Sequence, residues 1–373
     1  MDKIPAAIIG LGRIASLLEE DIRREKPCTH AGAVTENPDC VLAGGCDIDE
    51  EKRKLFAGRW GVPVYADAAE MIRCQNPIIL VIATHPDSHY EYCRLAAASG
   101  VPLVICEKPL ADTLSAARKI AGFNTTIITN HERRYSADYI KAKEILASGK
   151  LGVPLSVRAT LCMGKNNRLL DVLWHDGTHM ADALMFLTGS RLKHRKRYGA
   201  KLTSTTGTAW LEGELIPPKI KISPNSEGRP VPTAVHVDVP AAIPAAVPAA
   251  IPVVMELGAG RDHLIFEMEF SCSAGRLRIG NGVFEVWESR EWPYAEKFRS
   301  LMLTGESFTD KSLADESSGR RYNEGPTGYF TNMIADAVSC VRESGRRPVS
   351  SAEDGLAVIE YLASVKAWRQ VWR

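Results

Sequence analysis

The chain predicts an α/β protein: a nucleotide-binding domain built on a parallel sheet, followed by a strand-rich α+β region. Three observations carry this expectation. Apolar runs alternate with helix-patterned segments from residue 4 to residue 130; a turn Gly10-Leu11-Gly12-Arg13-Ile14-Ala15 closes the first run; and long strand-like runs recur after residue 150. A length of 373 residues suits two or three domains, at roughly 150 residues each.

The elements follow in order. "PAAIIG" ends in Gly10, and "LGRIASLLEEDIRRE" continues with helical apolar spacing. "VLAGGCDID" (41–49), "VPVYAD" (62–67), "PIILVIAT" (77–84), "VPLVICEKP" (101–109) and "TTIITN" (125–130) are the next apolar runs, with helix-like segments between them. Near-continuous apolar strands separated by helices indicate a parallel sheet covered on both faces. Further along, "LSVRATLCM", "HLIFEMEFSC" and "RLRIGNGVFEVWES" are strand-like, the last broken by Gly-Asn-Gly as a hairpin would be. The expected domains are 1–130, 131–345, and a C-terminal helix over 346–373 packing back near the first domain.

Composition excludes several function classes. Lys plus Arg number 46 against 45 Asp plus Glu, so neither nucleic acid nor an anionic membrane is an expected partner. The basic run "RLKHRKR" (191–197) reads as a solvated strand edge. The 9 cysteines form no CxxC pair, which fits a reducing cytosol and argues against a zinc ribbon or disulfide scaffold. The N-terminal "MDKIPAAIIGLG" reads as a first strand, not a leader, because glycines break its apolar run. "VPAAIPAAVPAAIPVV" (239–254) is apolar, but proline at every fourth residue rules out a membrane helix and favours an extended connection.

In the first turn, Gly10 permits the tight bend, Gly12 lets a pyrophosphate approach the backbone, and Ala15 allows close packing of helix on strand. A helix starting here would present its amides to the phosphates. Gly10, Gly12, Arg13 and Ile14 are therefore cofactor-binding candidates. Asp47 ends the second strand, where an acid accepts a ribose 2′-hydroxyl; the competing reading is a helix cap. No arginine immediately follows it to hold a 2′-phosphate, which favours NAD over NADP. Thr84 and His85 follow the fourth strand, on the nicotinamide side.

The stretch "ATHPDSHYEYCRLAAASGVPLVICEKPLADTLSAARKI" (83–120) resembles the heart of the Gfo/Idh/MocA family of NAD(P)-dependent oxidoreductases. The telling residues are Glu107-Lys108-Pro109 ending the fifth strand, with His89 upstream. "ERRYSADYIKAKEILASGKLGVPLSVRA", "GTHMADALMFLTG" and "RRPVSSAEDGLAVIEYLASVKA" extend the likeness over most of the chain. The resemblance implies a second domain with a large, open, mostly antiparallel sheet, and a substrate lying between the domains. It also implies cofactor contacts at His89, Glu107 and Lys108, and a cleft lined by Lys108 and His179, with Asp182 as the acid of an H-x-x-D helix motif. The family pattern has aspartate four residues before that histidine; here His175 stands there, and the acid is displaced to Asp176.

Oxidising an alcohol requires a base beside the hydroxyl and a donor or cation on its oxygen. In one arrangement His179 takes the proton, Lys108 stabilises the oxygen, and His175 or Asp176 orients substrate hydroxyls. In another, Asp176 supports His179 electrostatically. The bland reading makes Asp176 or Thr178 a helix cap. His175 and His179 are spaced as metalloprotease ligands are, but the motif lacks its glutamate and His131, His236 or His263 would join only by coincidence, so no metal is expected. Arg133 and Arg134, or Lys165, Asn166 and Asn167, are further candidates for contact with a polar substrate. The expected function is an NAD-dependent dehydrogenase of a sugar, inositol or related polyol, cytoplasmic, and a homodimer or homotetramer. The competing function is a non-catalytic NAD(P)-binding sensor; a zinc hydrolase is a third.

Overall fold

The computed structural model describes residues 2–165, 167–218, 221–224, 230–233, 249–292, 297–304 and 328–367, the short stretches 221–224 and 230–233 as backbone only. Two compact units emerge: Met1–Ala137 with Glu324–Ala363, and Asp138–Asn323 with Ser364–Arg373.

The first unit is a six-stranded parallel sheet. Its strands are β1 (Ile4–Ile9), β2 (Cys40–Cys46), β3 (Val64–Tyr65), β4 (Ile79–Ile82), β5 (Leu103–Cys106) and β6 (Thr126–Thr129), in the order β3-β2-β1-β4-β5-β6. The order reverses between β1 and β4, the position where such sheets open a ligand crevice at their strand ends. Every residue of β4 and β5 is buried. Each such Ile, Leu or Val contributes about 1.5–3 kcal/mol, which is why these strands read as unbroken apolar runs.

Helices α1 (His30–Glu36), α2 (Glu50–Trp60), α3 (Ala68–Gln75), α4 (His89–Ala98) and α5 (Leu114–Ala121) connect the strands. Local chemistry starts most of them. Thr29, Asp49, Asp67 and Thr113 accept backbone amides at the starts of α1, α2, α3 and α5.

One expectation fails here. The helix expected directly after the glycine turn does not form; a four-residue 3₁₀ turn, Leu17–Glu20, stands in its place, and α1 begins only at His30. After Leu18 the sequence "EEDIRREKP" offers charge on every side and no apolar stripe to bury. Glu19 folds the chain back instead, its Oε2 accepting the Thr29 hydroxyl at 2.5 Å.

Two C-terminal helices, α9 (Tyr329–Arg342) and α10 (Ala352–Ala367), follow. By its contacts α9 belongs with the first unit. Phe330, Met333, Ile334 and Ala337 join the core formed by Ile8, Val81 and Ile105. Tyr135 donates to Asp336 at 3.0 Å, and Thr129 N–H donates to the Ser350 carbonyl at 2.9 Å, so the segment before α10 extends the edge of β6.

The second unit carries an eight-stranded sheet. It comprises β7 (Pro154–Cys162), β8 (Arg191–Gly199), β9 (Gly207–Ile216), β12 (Ile251–Ala259), β13 (Ile265–Cys272), β14 (Gly275–Gly280), β15 (Val283–Glu291) and β16 (Arg299–Leu303), with β10 (Lys221–Pro224) and β11 (Pro230–Thr233) as a separate pair. The order is β16-β15-β14-β13-β7-β12-β9-β8, antiparallel except where β12 runs parallel to β7. The expected hairpin forms: Asn281 and Gly282 join β14 to β15, Gly282 at φ 88°.

The basic run becomes the edge strand β8, with Arg191, Lys193, Arg195 and Lys196 exposed, a common guard against edge-to-edge pairing. Of the proline-rich stretch, 239–248 lies outside the described residues. Its last residues enter the interior strand β12 rather than a connection, because Ile251, Val253, Met255 and Leu257 alternate into the core. Pro252 is tolerated since pairing with β7 begins only at Val253.

Among the described residues, this unit also carries the helices α6 (Ala137–Ala147), α7 (Leu169–His175) and α8 (Gly177–Thr188). In α8 every residue from Gly177 to Leu187 is buried, and the helix packs against β7, β8 and β9. Among the described residues, no helix is long and apolar enough to cross a membrane.

Candidate active site

The strand ends of the parallel sheet gather most of the expected first-unit residues: Gly10 after β1, Asp47 after β2, Thr84 and His85 after β4, Glu107 and Lys108 after β5. Gly10 adopts φ 86°, and a Cβ there would meet the Ala83 carbonyl oxygen at 2.7 Å and Thr84 Cγ2 at 2.8 Å. Gly12 differs: a Cβ on it would meet nothing within 4 Å, leaving open space beside the backbone. The amides of Gly12, Arg13 and Ile14 find no acceptor among the described residues. That cradle suits a pyrophosphate. It is made by loop amides alone, so the helix dipole expected from the sequence plays no part.

Gly10→Ala is therefore expected to weaken NAD binding and lower the melting temperature together. Left-handed backbone plus the clash with Ala83 costs about 1–3 kcal/mol. NAD titration and thermal unfolding of the variant measure both.

Asp47 is 9% exposed. Its Oδ2 accepts the Leu11 amide at 2.8 Å and its Oδ1 the Asp49 amide at 2.9 Å. Asp49, not Asp47, caps α2. Asp47 thus ties the glycine turn to β2 and keeps lone pairs for a ribose hydroxyl. Arg53 spends its guanidinium on the Asp47 and Ile48 carbonyls, at 2.7 and 3.0 Å. Lys52 Nζ lies 3.9 Å from Asp47 Oδ2.

Glu107 and His89 depart from the expected direct contact with cofactor. The Glu107 carboxylate is enclosed: Oε1 lies 2.7 Å from His30 Nε2 and accepts Asn130 Nδ2 at 2.6 Å, while Oε2 accepts the Lys108 amide at 3.3 Å. Burial alone would raise its pKa, but hydrogen bonding and charge from His30, with the Asn130 amide and Lys108, hold it below the usual carboxylate value. His89 is fully buried, Nδ1 at 3.0 Å from the Pro109 carbonyl and Nε2 at 3.1 Å from the Thr84 carbonyl. It cross-links the loops after β4 and β5 and has no surface left for a dinucleotide. Burial drives its pKa down against the pull of those carbonyls.

Lys108 itself is half-buried, at the start of a cis Lys108–Pro109 bond. His85 is exposed, and the Ser88 hydroxyl lies 2.7 Å from Thr84 Oγ1. Glu132, after β6, was not legible as a site residue. Burial pushes its carboxyl up, opposed by Arg133 and Lys108, which places a perturbed acid within the electrostatic reach of that lysine. Arg134 is structural: it pairs with Asp354 at 3.1 Å and donates to the Val349 carbonyl at 2.9 Å.

In the second unit, His175 and His179 do not share the continuous helix the spacing suggested. Asp176 ends α7 and precedes α8, its side chain making no cap bond, while the Thr178 hydroxyl donates to the His175 carbonyl at 2.9 Å. The His175 side chain is 77% exposed, with Nδ1 3.4 Å from Asp176 Oδ2. His179 is 7% exposed and Asp182 1%. Lys165 and Asn167 are exposed; Asn166 and His236 lie outside the described residues. Among the described residues no three His, Cys, Asp or Glu side chains gather as a metal site.

Residues 4–125 match the oxidoreductase family with an NAD-binding Rossmann fold, Gfo/Idh/MocA. This region belongs to that family. Within it, the Gfo/Idh/MocA-type unit is the parallel sheet with the Gly10 turn and the Glu107-Lys108-Pro109 corner just described. The chain is 28% identical over 162 residues to inositol 2-dehydrogenase of Rubrobacter xylanophilus, 42% of this chain and 43% of that enzyme. That match spans less than half the relative's length. To the inositol 2-dehydrogenase of Streptomyces avermitilis it is 24% identical over 322 residues, covering 82% of this chain and 85% of the relative. An oxidoreductase from Agrobacterium radiobacter, solved with NAD+, L-tartaric acid and magnesium, superposes with a TM-score of 0.65 at 18% identity over 98% of this chain and 97% of that one. At such identity the likeness is one of fold, and it extends to the second, mostly antiparallel sheet.

Proposed function

We propose that the protein is an NAD-dependent dehydrogenase acting on a secondary hydroxyl, or the corresponding ketone, of a sugar, inositol or related polyol. The observation that carries this reading is Lys108, set at a parallel-strand end by an anchored Glu107 in the sheet that also presents the Gly10 turn. The inositol dehydrogenases among the relatives support the substrate class.

Bound NAD would supply the hydride acceptor. The chain's own residues do the rest. The loop amides at Gly12, Arg13 and Ile14 receive the pyrophosphate, and Asp47 accepts a ribose hydroxyl. Lys108 orients the substrate oxygen and stabilises negative charge on it. His179 takes the hydroxyl proton in oxidation and returns it in reduction. His175 and Asp176 contribute at most orientation of further hydroxyls. Asp47 favours NAD over NADP, since its carboxylate would repel a 2′-phosphate and Arg53 is committed to backbone carbonyls. The reading includes a cytoplasmic, homo-oligomeric enzyme.

Screening sugars and inositols for NADH absorbance tests it, with turnover of at least one polyol as the expected result. Cofactor binding without turnover of any member would replace this reading with a nucleotide sensor.

A further inference from the structure

His30 was no candidate in the sequence, yet it stands where the two halves of the first-unit site meet. It is fully buried at the head of α1. Its backbone N–H donates to the Ile14 carbonyl at 3.2 Å, and the next amide, of Ala31, donates to Ala15 at 3.0 Å. Both acceptors belong to the glycine turn. Its side chain reaches the other way, Nε2 lying 2.7 Å from Glu107 Oε1. The other oxygen of Glu107 accepts the amide of Lys108. The main chain of one residue is thus fixed to the nucleotide turn, and its side chain to the carboxylate that sets the lysine.

We infer that His30 is a positioning residue, coupling occupancy of the glycine turn to the placement of Lys108. Two features separate this from ordinary packing. A buried imidazole–carboxylate pair is weak as a stabilising device, because an apolar pair of similar volume commonly does as well. Moreover, the chain makes a long excursion between Ala15 and His30 and still restores the contact. Lys26 Nζ donates to the Leu18 and Asp21 carbonyls at 3.1 and 2.9 Å, Arg59 to the Ser16 carbonyl at 2.9 Å, and Glu19 takes Thr29. The Lys26 and Glu19 bonds close the excursion on itself and Arg59 of α2 holds its start, so that α1 starts against the turn it left. Asn130, directly after β6, completes the clamp, its Nδ2 on the same Glu107 oxygen and its N–H on the Cys106 carbonyl at 2.7 Å.

Part of the test rests on the dehydrogenase reading and part does not. His30→Leu removes the donor and keeps an apolar body; His30→Gln keeps an amide donor of similar reach. Phe330→Leu, which loosens the edge-on ring packed 5.1 Å from His30, controls for lost packing. For each, kcat and the NAD KM are measured, together with the acylation rate of Lys108 by mass spectrometry, with and without NAD.

A misplaced reacting group costs on the order of 100-fold, and His30→Leu is expected to lose roughly 10- to 100-fold in kcat. Its Lys108 should acylate faster than in the parent and lose its response to NAD. His30→Gln should recover most of both, and Phe330→Leu should lower the melting temperature alone. If His30→Leu yields no folded protein, His30→Asn, too short to reach Glu107, supplies the same contrast with His30→Gln. Equal kcat and equal Lys108 labelling in the parent and the donor-lacking variant would overturn the inference. Should the parent show no turnover while the labelling contrast persists, the dehydrogenase reading fails and the positioning role stands.

Discussion

Lys108→Ala is expected to lose about 100- to 10,000-fold in kcat/KM, the range ordinary for a group that handles charge in the transition state, while NAD affinity stays close to that of the parent. The separation of the two effects follows from the geometry. In the proposed function, pyrophosphate and ribose contacts come from the Gly12 loop and Asp47, neither of which uses Lys108. Its backbone is what the protein holds in place, through Glu107 Oε2 and the loop that His89 ties to the Pro109 carbonyl. In the proposed function, the side chain is what the reaction uses.

Lys108→Arg sharpens the experiment. It preserves charge but replaces a compact ammonium with a planar fork, so partial activity is expected if charge alone matters and very little if a point donor on one oxygen matters. Single-turnover kinetics and an NAD binding isotherm on the same preparations give the answer. Turnover of Lys108→Ala equal to that of the parent would remove the lysine from the mechanism.

The parallel sheet was legible because its signals are local and redundant. Fully buried strands leave unbroken apolar runs, and Gly10 and Asp47 sit where strand ends put them. What failed was continuity. "LGRIASLLEEDIRRE" has helical spacing at its start, but spacing cannot say whether a later carboxylate, here Glu19, will recapture Thr29 and reverse the chain. His30, Asn130 and Glu132 were invisible for a related reason. Their role is a three-dimensional coincidence between the first crossover and the ends of β5 and β6, and no periodicity encodes a contact between residues 30 and 107. Glu107 and His89 were visible as motif residues, yet burial and their partners give them structural duties. In the second unit, alternation found β7, β13, β14 and β15. The beginning of β12 was masked by prolines that argued, correctly in general, against a strand interior.

The two histidines set four apart in sequence are expected to separate cleanly by mutation. His179→Asn should lower kcat/KM by about 100- to 10,000-fold and flatten the acid-side limb of its pH profile, which reports the base of the free enzyme. His175→Asn should leave that limb in place and change kcat/KM far less. The difference rests on environment. His179 is almost fully buried within the first turn of α8, a helix buried along nearly its whole length, with Asp182 one turn further along. Its imidazole is held in a fixed surrounding, as proton transfer in a defined direction requires. The His175 side chain is largely solvated at the end of α7, beside Asp176. A solvated ring samples many orientations and gives up that advantage. Because Asp176 interrupts the helix between them, a shared-face role would need the two rings to act together, and the double variant would then lose much less than the product of the two single losses. Additive losses would leave His179 as the sole base, whereas a larger loss in His175→Asn would transfer that role to the exposed ring.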